Sequence, residues 1–344
     1  MGGRPGSDEI VEDAIAATGI TDVGDDWFMA PLALWASDPE QPNLTDRGRR
    51  FLRSLAVREI SQRLRVLDTL REHPEINEVE IPPIVYITGL ERSGTTVLHN
   101  LVALHRSSRA LLRWELMEPI PPPTTASFCM PTSGRFISEA DQTPAFEHYR
   151  QLVQLLTWQH PVEPGGFLVL KAPQIALHID VFADVFPEAH FVVTDRDPFR
   201  ALVSVAVLGR SIVEPFCVVN PITHPGPDDV DLAVSVQKKL AAVLAFTDAH
   251  PDRIEHLAYP DLVGDPAPAV TGLLDAIGVA DDPGLADRVD AFLAAQRAGR
   301  RSAPPPSLDT LGYEHDEVLA QPEIARYCAR LGIEPERHRL TGAS

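Results

Sequence analysis

The chain has 344 residues, 44% of them hydrophobic, and a formal net charge of −19. Its length allows one large domain with a substantial core, or one domain with a helical addition. The negative charge argues against a general nucleic-acid-binding protein, because such proteins need a cationic surface to displace phosphate counterions. The cysteines, Cys129, Cys217 and Cys328, are far apart in sequence, which disfavours disulfides and structural zinc and favours a cytoplasmic location.

The N-terminal part of the chain has the pattern of a helical region. It lacks the basic start and apolar run of a signal peptide, and no apolar stretch is long enough to span a membrane. Apolar residues recur with helical spacing after Thr45, a candidate N-cap, and this pattern ends at His73-Pro74. We therefore expect a helical region over residues 1–78 that packs on a second unit, residues 79–344.

Short apolar runs bounded by turns follow, and helical stretches alternate with them. The runs predict strands at residues 84–88, 110–112, 167–170, 191–194 and 254–258. The helical stretches are at residues 95–104, 145–159, 175–185, 199–208, 229–249, 267–277 and 283–296. This alternation predicts an α/β fold with a parallel sheet that helices cover on both faces.

The strongest chemical signal is the loop after the first strand, Gly89-Leu90-Glu91-Arg92-Ser93-Gly94-Thr95-Thr96. A strand, a glycine-containing turn and a helix start direct backbone N–H groups and a helix dipole to one point, which suits a phosphate or sulfate. The spacing is P-loop-like, but Thr95 stands where an ATP- or GTP-hydrolysing loop carries its lysine, and the cation is Arg92. A P-loop kinase or nucleotidase is therefore one candidate function, and only the generic loop supports it.

A second candidate anion site follows the strand at residues 191–194. There the sequence reads Asp195-Arg196-Asp197-Pro198, and a helix with Ser204 comes next. Arginine offers a forked, permanently charged donor that suits a terminal phosphate. Proline suits the first turn of a helix.

Together, the loop at residues 89–96 and the Arg196 segment resemble the sulfotransferases that use 3′-phosphoadenosine 5′-phosphosulfate (PAPS). The resemblance implies that Arg196 and Ser204 bind the 3′-phosphate of PAPS. It also implies a set of residues around the 5′-phosphosulfate group: Arg92, Ser93, Gly94, Thr95 and Thr96. Glu91 replaces the proline that usually precedes the basic residue of this loop.

Further segments extend the resemblance over residues 45–333. Lys171, in Leu170-Lys171-Ala172-Pro173, matches the family lysine that faces the transferring sulfuryl group, although alanine replaces the usual serine at residue 172. Tyr259 begins a segment that in the family supports the nucleotide. Arg300 and Arg301, with Arg297, lie where related enzymes send a basic loop over the 3′-phosphate. The segment Trp114-Glu115-Leu116 matches a bacterial branch of the family.

The resemblance implies an in-line displacement at sulfur, for which Arg92, Lys171 and the loop supply positive charge on the leaving side. No magnesium ion is required, and no metal site is expected. Glu115 is the first candidate for the base that deprotonates the acceptor, and His178 is the second. The expected partner is a small-molecule acceptor with a hydroxyl, phenol or amine, whose identity stays open, as does the oligomeric state. A catalytically silent nucleotide-binding protein is the remaining alternative.

Overall fold

The N-terminal part of the chain is helical where the structure describes it. The computed structural model describes residues 5–37, 43–111, 115–116, 119–120, 140–219, 232–299 and 314–336. Helices α1 (Pro5–Thr18), α2 (Met29–Ser37) and α3 (Asp46–Glu72) come first, and a 3₁₀ turn, Pro74–Glu78, follows them. The hydroxyl of Thr45 accepts a hydrogen bond of 3.0 Å from the backbone N–H of Gly48, which confirms the predicted N-cap.

Helix α3 connects the first two helices to the rest of the molecule. Its residues Ala56, Ile60 and Leu64 form an apolar cluster with residues of α1, α2 and the turn between them. Further along, Val66 and Leu70 pack with residues of the 3₁₀ turn and of helix α5 (Thr143–Gln159). These contacts join the residues before and after residue 78. The division of the chain at that point stays a prediction.

A parallel five-stranded sheet forms the centre of the fold. Its strands are β1 (Ile84–Gly89), β2 (Ser108–Ala110), β3 (Phe167–Lys171), β4 (Ala189–Asp195) and β5 (Ile254–Ala258). Their order is β2-β3-β1-β4-β5, and every neighbouring pair is parallel. Strand β1 therefore lies in the middle of the sheet, between β3 and β4.

Helices cover both faces of this sheet, as the alternating pattern predicts. The remaining helices are α4 (Thr95–Val102), α6 (Ile179–Val185), α7 (Pro198–Val213), α8 (Leu232–Ala249), α9 (Tyr259–Gly264), α10 (Pro266–Ala276), α11 (Leu285–Gly299), α12 (His315–Leu319) and α13 (Pro322–Leu331). Side chains of β1 alternate between the faces: Ile84 and Tyr86 pack with α5 to α8 and α13, whereas Val85 and Ile87 pack with α4 and α9 to α11. Among the described residues, no helix has the length and apolar character needed to cross a membrane.

Two predicted elements differ from the structure. Strand β2 is Ser108–Ala110, not 110–112, because it pairs with β3 through Ser108 and Arg109, polar residues that the apolar run did not include; residue 112 lies outside the described residues. The predicted helix at residues 175–185 is instead a 3₁₀ turn, Pro173–His178, followed by α6. The backbone of His178, with φ −131° and ψ 38°, interrupts the helical conformation between them.

Candidate functional site

The residues of the two candidate anion sites and Lys171 lie at one edge of the sheet, at the carboxyl ends of its three central strands. Strand β1 runs into the loop at residues 90–94, β3 ends at Lys171, and β4 ends just before Arg196. In the sheet register, Ile87 is opposite Lys171 and Gly89 is opposite Thr194. Ligands of open α/β folds bind at this edge, and the fold therefore brings the two candidate anion sites together there.

The loop conformation requires glycine at two positions. Gly89 and Gly94 have φ values of 119° and 102°, in the left-handed region that only glycine enters easily. A Cβ atom at Gly94 would also lie 2.9 Å from the ring of Tyr259. Arg92 has a φ of 70°, which is uncommon for a residue with a side chain. The loop is thus tightly turned and is packed against Tyr259, a residue of the predicted site.

The hydroxyl groups of the loop have different surroundings. Ser93 is buried, and its Oγ lies 2.6 Å from both the carbonyl oxygen of Leu90 and the hydroxyl of Thr194. Thr95 is buried at the start of α4, whereas Thr96 is exposed and accepts a hydrogen bond of 3.4 Å from Lys171 Nζ. The side chain of Ser93 therefore holds the loop together, whereas the hydroxyl of Thr96 contacts the ammonium group of Lys171.

Glu91, the residue that departs from the family pattern, has a cationic partner. Lys239 of α8 is mostly buried and donates a hydrogen bond from its ammonium group to Glu91 Oε1. The pair offsets the negative charge that Glu91 adds beside the anion loop. No local pattern indicated this contact, because the two residues are 148 positions apart.

Arg196 lies beside the loop and is directly bonded to it. Its Nη1 donates to the carbonyl oxygen of Arg92 at 2.8 Å, and its guanidinium carbon lies 4.2 Å from the centre of the Tyr259 ring. In turn, Nε of Arg92 donates to the hydroxyl of Ser204 at 3.0 Å. The side chain of Arg92 therefore contacts Ser204, a residue predicted to bind the 3′-phosphate. The sequence had instead assigned Arg92, with Lys171, to the leaving side of the reaction.

The remaining donors of Arg196 bind a carboxylate near the C-terminal end of the described chain. Nε and Nη2 of Arg196 lie 2.6 and 3.0 Å from the two carboxylate oxygens of Glu336 and form a bidentate ion pair with them. Burial alone would lower the pKa of Arg196, but the hydrogen bonds and charge of Glu336 raise it above its ordinary value. Sequence reasoning missed Glu336, which is 140 positions from Arg196.

Arg200 is a further cation of this site that sequence reasoning missed. It lies in the first turn of α7, and its Nε is 4.0 Å from Glu336 Oε2, beyond hydrogen-bond distance. This Nε is buried and has no hydrogen-bond partner within the described part of the chain. Its position in the first turn of the helix that follows Arg196 was the available signal.

The two aspartates that flank Arg196 are buried and do not pair with it. Asp195 accepts hydrogen bonds from the hydroxyl of Tyr327, in α13, and from Nδ1 of His256, in β5, the latter at 2.9 Å. Asp197 caps α7 by accepting from the N–H of Phe199 at 2.9 Å, and it also accepts from the N–H of Glu336 at 2.8 Å. Both carboxylates therefore hold neighbouring elements in place and leave Arg196 for other anions.

Comparison with known proteins identifies the family. Residues 83–283, more than half of the chain, match the profile of the sulfotransferase family. The chain belongs to this family. It is 26% identical over 262 residues to the omega-hydroxy-beta-dihydromenaquinone-9 sulfotransferase Stf3 of Mycobacterium bovis, an alignment that covers 62% of this chain and 67% of that protein. This sulfotransferase is thus an enzyme that moves a sulfuryl group from a donor to an acceptor.

Solved structures of other sulfotransferases share the fold. STF9 from Mycobacterium avium superposes with a TM-score of 0.82 at 20% identity, over 98% of this chain and 100% of that chain. STF1 from Mycobacterium tuberculosis superposes with a TM-score of 0.77 at 19% identity, over 93% and 98% of the two chains. These likenesses confirm the P-loop-like α/β fold that the sequence predicts.

The two residues predicted as the base of the sulfotransferase come from the segments after β2 and β3. Glu115 is nearly buried, and its Oε1 accepts a hydrogen bond of 2.9 Å from Nη2 of Arg109, in β2. His178 is half-buried at the end of the 3₁₀ turn after β3, and not on a helix as the sequence predicted. Arg300 and Arg301 lie outside the described residues. Within the described ranges, no group of three or more histidine, cysteine or acidic side chains could hold a metal ion.

Proposed function

We propose that the sulfuryl donor of this sulfotransferase is PAPS and that the acceptor is a small molecule with a hydroxyl group. The observation that carries the donor assignment is the contact between the loop and the arginine segment. Arg196 donates to the carbonyl of Arg92, and Arg92 donates to Ser204, so the two anion sites are adjacent. A nucleotide with phosphate groups on both its 5′ and 3′ positions would use both sites at once.

The 3′ side of the proposed site is richer in cations than a nucleotide without a 3′-phosphate would need. Arg196 immediately precedes the N-cap of α7, and Arg200 and Ser204 lie one turn apart in its first two turns. The helix start adds its own positive dipole end, although Asp197 uses part of it as an N-cap. Such a group can supply a terminal phosphate with several charge-assisted hydrogen bonds.

On the 5′ side, the loop N–H groups, Lys171 and Thr96 are placed to bind the phosphosulfate. During transfer, a bond forms between the acceptor oxygen and sulfur while the bond from sulfur to the 5′-phosphate oxygen breaks. The electron pair of the broken bond stays on that phosphate oxygen, and the charge of Lys171 stabilises it there. The proton of the acceptor hydroxyl passes to a base.

Glu115 is the proposed base. Its pairing with Arg109 holds the side chain in one orientation. For Glu115→Gln we expect turnover of an alcohol acceptor to fall about 10²-fold, a smaller loss for an acidic phenol, and unchanged nucleotide binding. A variant with the full rate for the alcohol would transfer the role to His178, and His178→Gln would then be measured in the same assay.

The test of the proposed function is transfer of radiolabelled sulfate from PAPS to a panel of acceptors, with the products identified by mass. The first acceptor is the ω-hydroxylated β-dihydromenaquinone-9 named for the mycobacterial relative Stf3; simple alcohols, sterols, sugars and phenols follow. Sulfated product formed without magnesium supports the proposal. Phosphoryl transfer from ATP with magnesium, or nucleotide binding without any turnover across the panel, would contradict it.

A further inference from the structure

The C-terminal part of the described chain is attached to the Arg196 segment at three consecutive residues. The hydroxyl of Tyr327 donates to Asp195, the carboxylate of Glu336 binds Arg196, and the N–H of Glu336 donates to Asp197. We refer to residues 322–336, which comprise α13 and the segment after it, as the C-terminal arm. Through these contacts the arm lies over the 3′ side of the proposed donor site.

We infer that Glu336 is an internal anion that occupies the 3′-phosphate position on Arg196, and that the nucleotide displaces it on binding. This inference rests on the proposed use of PAPS. The inference follows from the bidentate ion pair between Arg196 and Glu336, because Nε and Nη2 of Arg196 are also the two donors that a phosphate would use. Glu336 thereby sets how strongly the enzyme favours nucleotides that carry a 3′-phosphate.

The carboxylate satisfies the site incompletely, which leaves a phosphate the better ligand. Arg200 Nε is 4.0 Å from Glu336 Oε2 and has no hydrogen-bond partner among the residues described. A carboxylate has two oxygens and one negative charge, whereas a terminal phosphate has three oxygens and up to two charges. A phosphate can therefore accept from Arg196, Arg200 and Ser204 together, and the two anions cannot share the site because their charges repel.

Displacement of Glu336 does not require the arm to unfold. The backbone N–H of Glu336 is fixed by Asp197, and Tyr327 is fixed by Asp195, so a rotation of the Glu336 side chain alone releases Arg196. The Glu336 side chain is about one third exposed, at 31%, and a cavity of about 190 Å³ lies nearby between Pro198, Cys328 and Pro335. The arm is therefore a fixed support with one exchangeable carboxylate.

The same exchange acts in reverse when the product leaves. After transfer, adenosine 3′,5′-bisphosphate still holds Arg196 through its 3′-phosphate, and its departure would otherwise leave a partly buried guanidinium without its anion. Glu336 supplies that anion and so favours release of the spent nucleotide. The carboxylate is expected to weaken both donor and product, since both carry the 3′-phosphate.

The test is calorimetric binding of adenosine 3′,5′-bisphosphate and adenosine 5′-monophosphate to the full chain and to two variants. Glu336→Gln keeps the shape and removes the charge. Glu334→Gln makes the same change two residues away, at an exposed carboxylate in the arm. For Glu336→Gln we expect binding of the bisphosphate to tighten about three- to tenfold, with the monophosphate changed less than twofold. Glu334→Gln should match the wild type for both nucleotides.

The possible failures separate the inference from the proposed function. Bisphosphate affinity that is unchanged or weaker in Glu336→Gln, while the wild type still prefers the bisphosphate, would overturn the role of Glu336 and leave PAPS as the donor. Equal tightening by Glu334→Gln would also overturn it, because the effect would then be general electrostatics. A wild type and a Glu336→Gln variant that both lack any preference for the bisphosphate would overturn the donor assignment and the inference together.

Discussion

The two ends of the donor site present positive charge in different ways. On the 5′ side, the loop offers backbone N–H groups whose position is fixed by Gly89, Gly94 and the buried hydroxyl of Ser93, and the nearby carboxylate of Glu91 is tied to Lys239. On the 3′ side, the donors belong to a long side chain, Arg196, that already holds Glu336. One end is therefore preformed for an anion, and the other exchanges an internal anion for an external one.

The fixed donors of the 5′ side and the exchangeable partner of the 3′ side are expected to serve different steps of the reaction cycle. Fixed backbone donors need no reorganisation, so they suit the transferring group, where charge develops during the reaction. An exchangeable partner reduces net affinity, which suits a phosphate that only anchors the nucleotide and has to leave after each cycle. We expect substitutions on the 5′ side to lower turnover and substitutions on the 3′ side to alter nucleotide preference.

The largest expected effect is that of Lys171→Met on the 5′ side. The substitution keeps most of the side-chain volume and removes the charge beside Thr96. We expect turnover with PAPS to fall about 10²- to 10³-fold, with the dissociation constant of adenosine 3′,5′-bisphosphate changed less than threefold. Single-turnover kinetics and calorimetry measure the two quantities. Lys171→Arg should retain much of the rate, and a Met variant that turns over at the wild-type rate would remove Lys171 from the reaction.

The next effect concerns the support of the 3′ side. Tyr327→Phe removes the hydroxyl that donates to buried Asp195 and leaves His256 as the described partner of that carboxylate. The free energy of unfolding should fall by about 1–3 kcal/mol, the usual cost of an unmet buried acceptor. Urea denaturation measures this loss. Because Glu336 N–H still binds Asp197, the preference for a 3′-phosphate should change little; an increase in that preference as large as the one expected for Glu336→Gln would show that the arm is held by Tyr327 alone.

A smaller effect is expected where Lys239 pairs with Glu91. In Lys239→Met, an unpaired carboxylate remains next to the anion loop, and binding of adenosine 5′-monophosphate should weaken about three- to tenfold. The double variant with Glu91→Gln should bind as well as the wild type, since the unpaired charge is gone. Lys238→Met is the matched control, because Lys238 is the exposed neighbour on the same helix. Unimpaired binding in Lys239→Met, or no recovery in the double variant, would show that Glu91 does not affect the loop.

Local parts of the fold and of the site could be predicted from the sequence. The strand, loop and helix from Ile84 to Val102 follow from apolar patterning and glycine positions, and helix α3 begins at the expected N-cap, Thr45. Such features depend on residues close together in the chain. The family resemblance assigned Arg196 and Ser204 to the 3′-phosphate and Lys171 to the transferring group, and these roles stay predictions; in the structure, Lys171 ends β3 and Arg196 follows β4.

Contacts between distant segments could not be predicted in the same way. The partners of Arg196 and Glu91 are 140 and 148 positions away, and neither Glu336 nor Lys239 lies in a distinctive motif. The 3₁₀ turn that carries His178 differs from an α-helix by its hydrogen-bond spacing, which apolar patterning resolves poorly. The proposed exchange of Glu336 for a phosphate on Arg196 thus depends on contacts made in the tertiary structure. Arginine and glutamate are common surface residues, and neither indicates such a contact by its type alone.

The most direct test of the donor site compares adenosine 3′,5′-bisphosphate with adenosine 5′-monophosphate on the wild type and on Arg196→Ala. The ratio of the two dissociation constants isolates the 3′-phosphate from every shared contact. We expect the wild type to favour the bisphosphate and Arg196→Ala to reduce that preference about 10- to 100-fold, while its affinity for the monophosphate stays close to the wild-type value. Equal losses of affinity for both nucleotides would contradict the assignment of Arg196 to the 3′-phosphate.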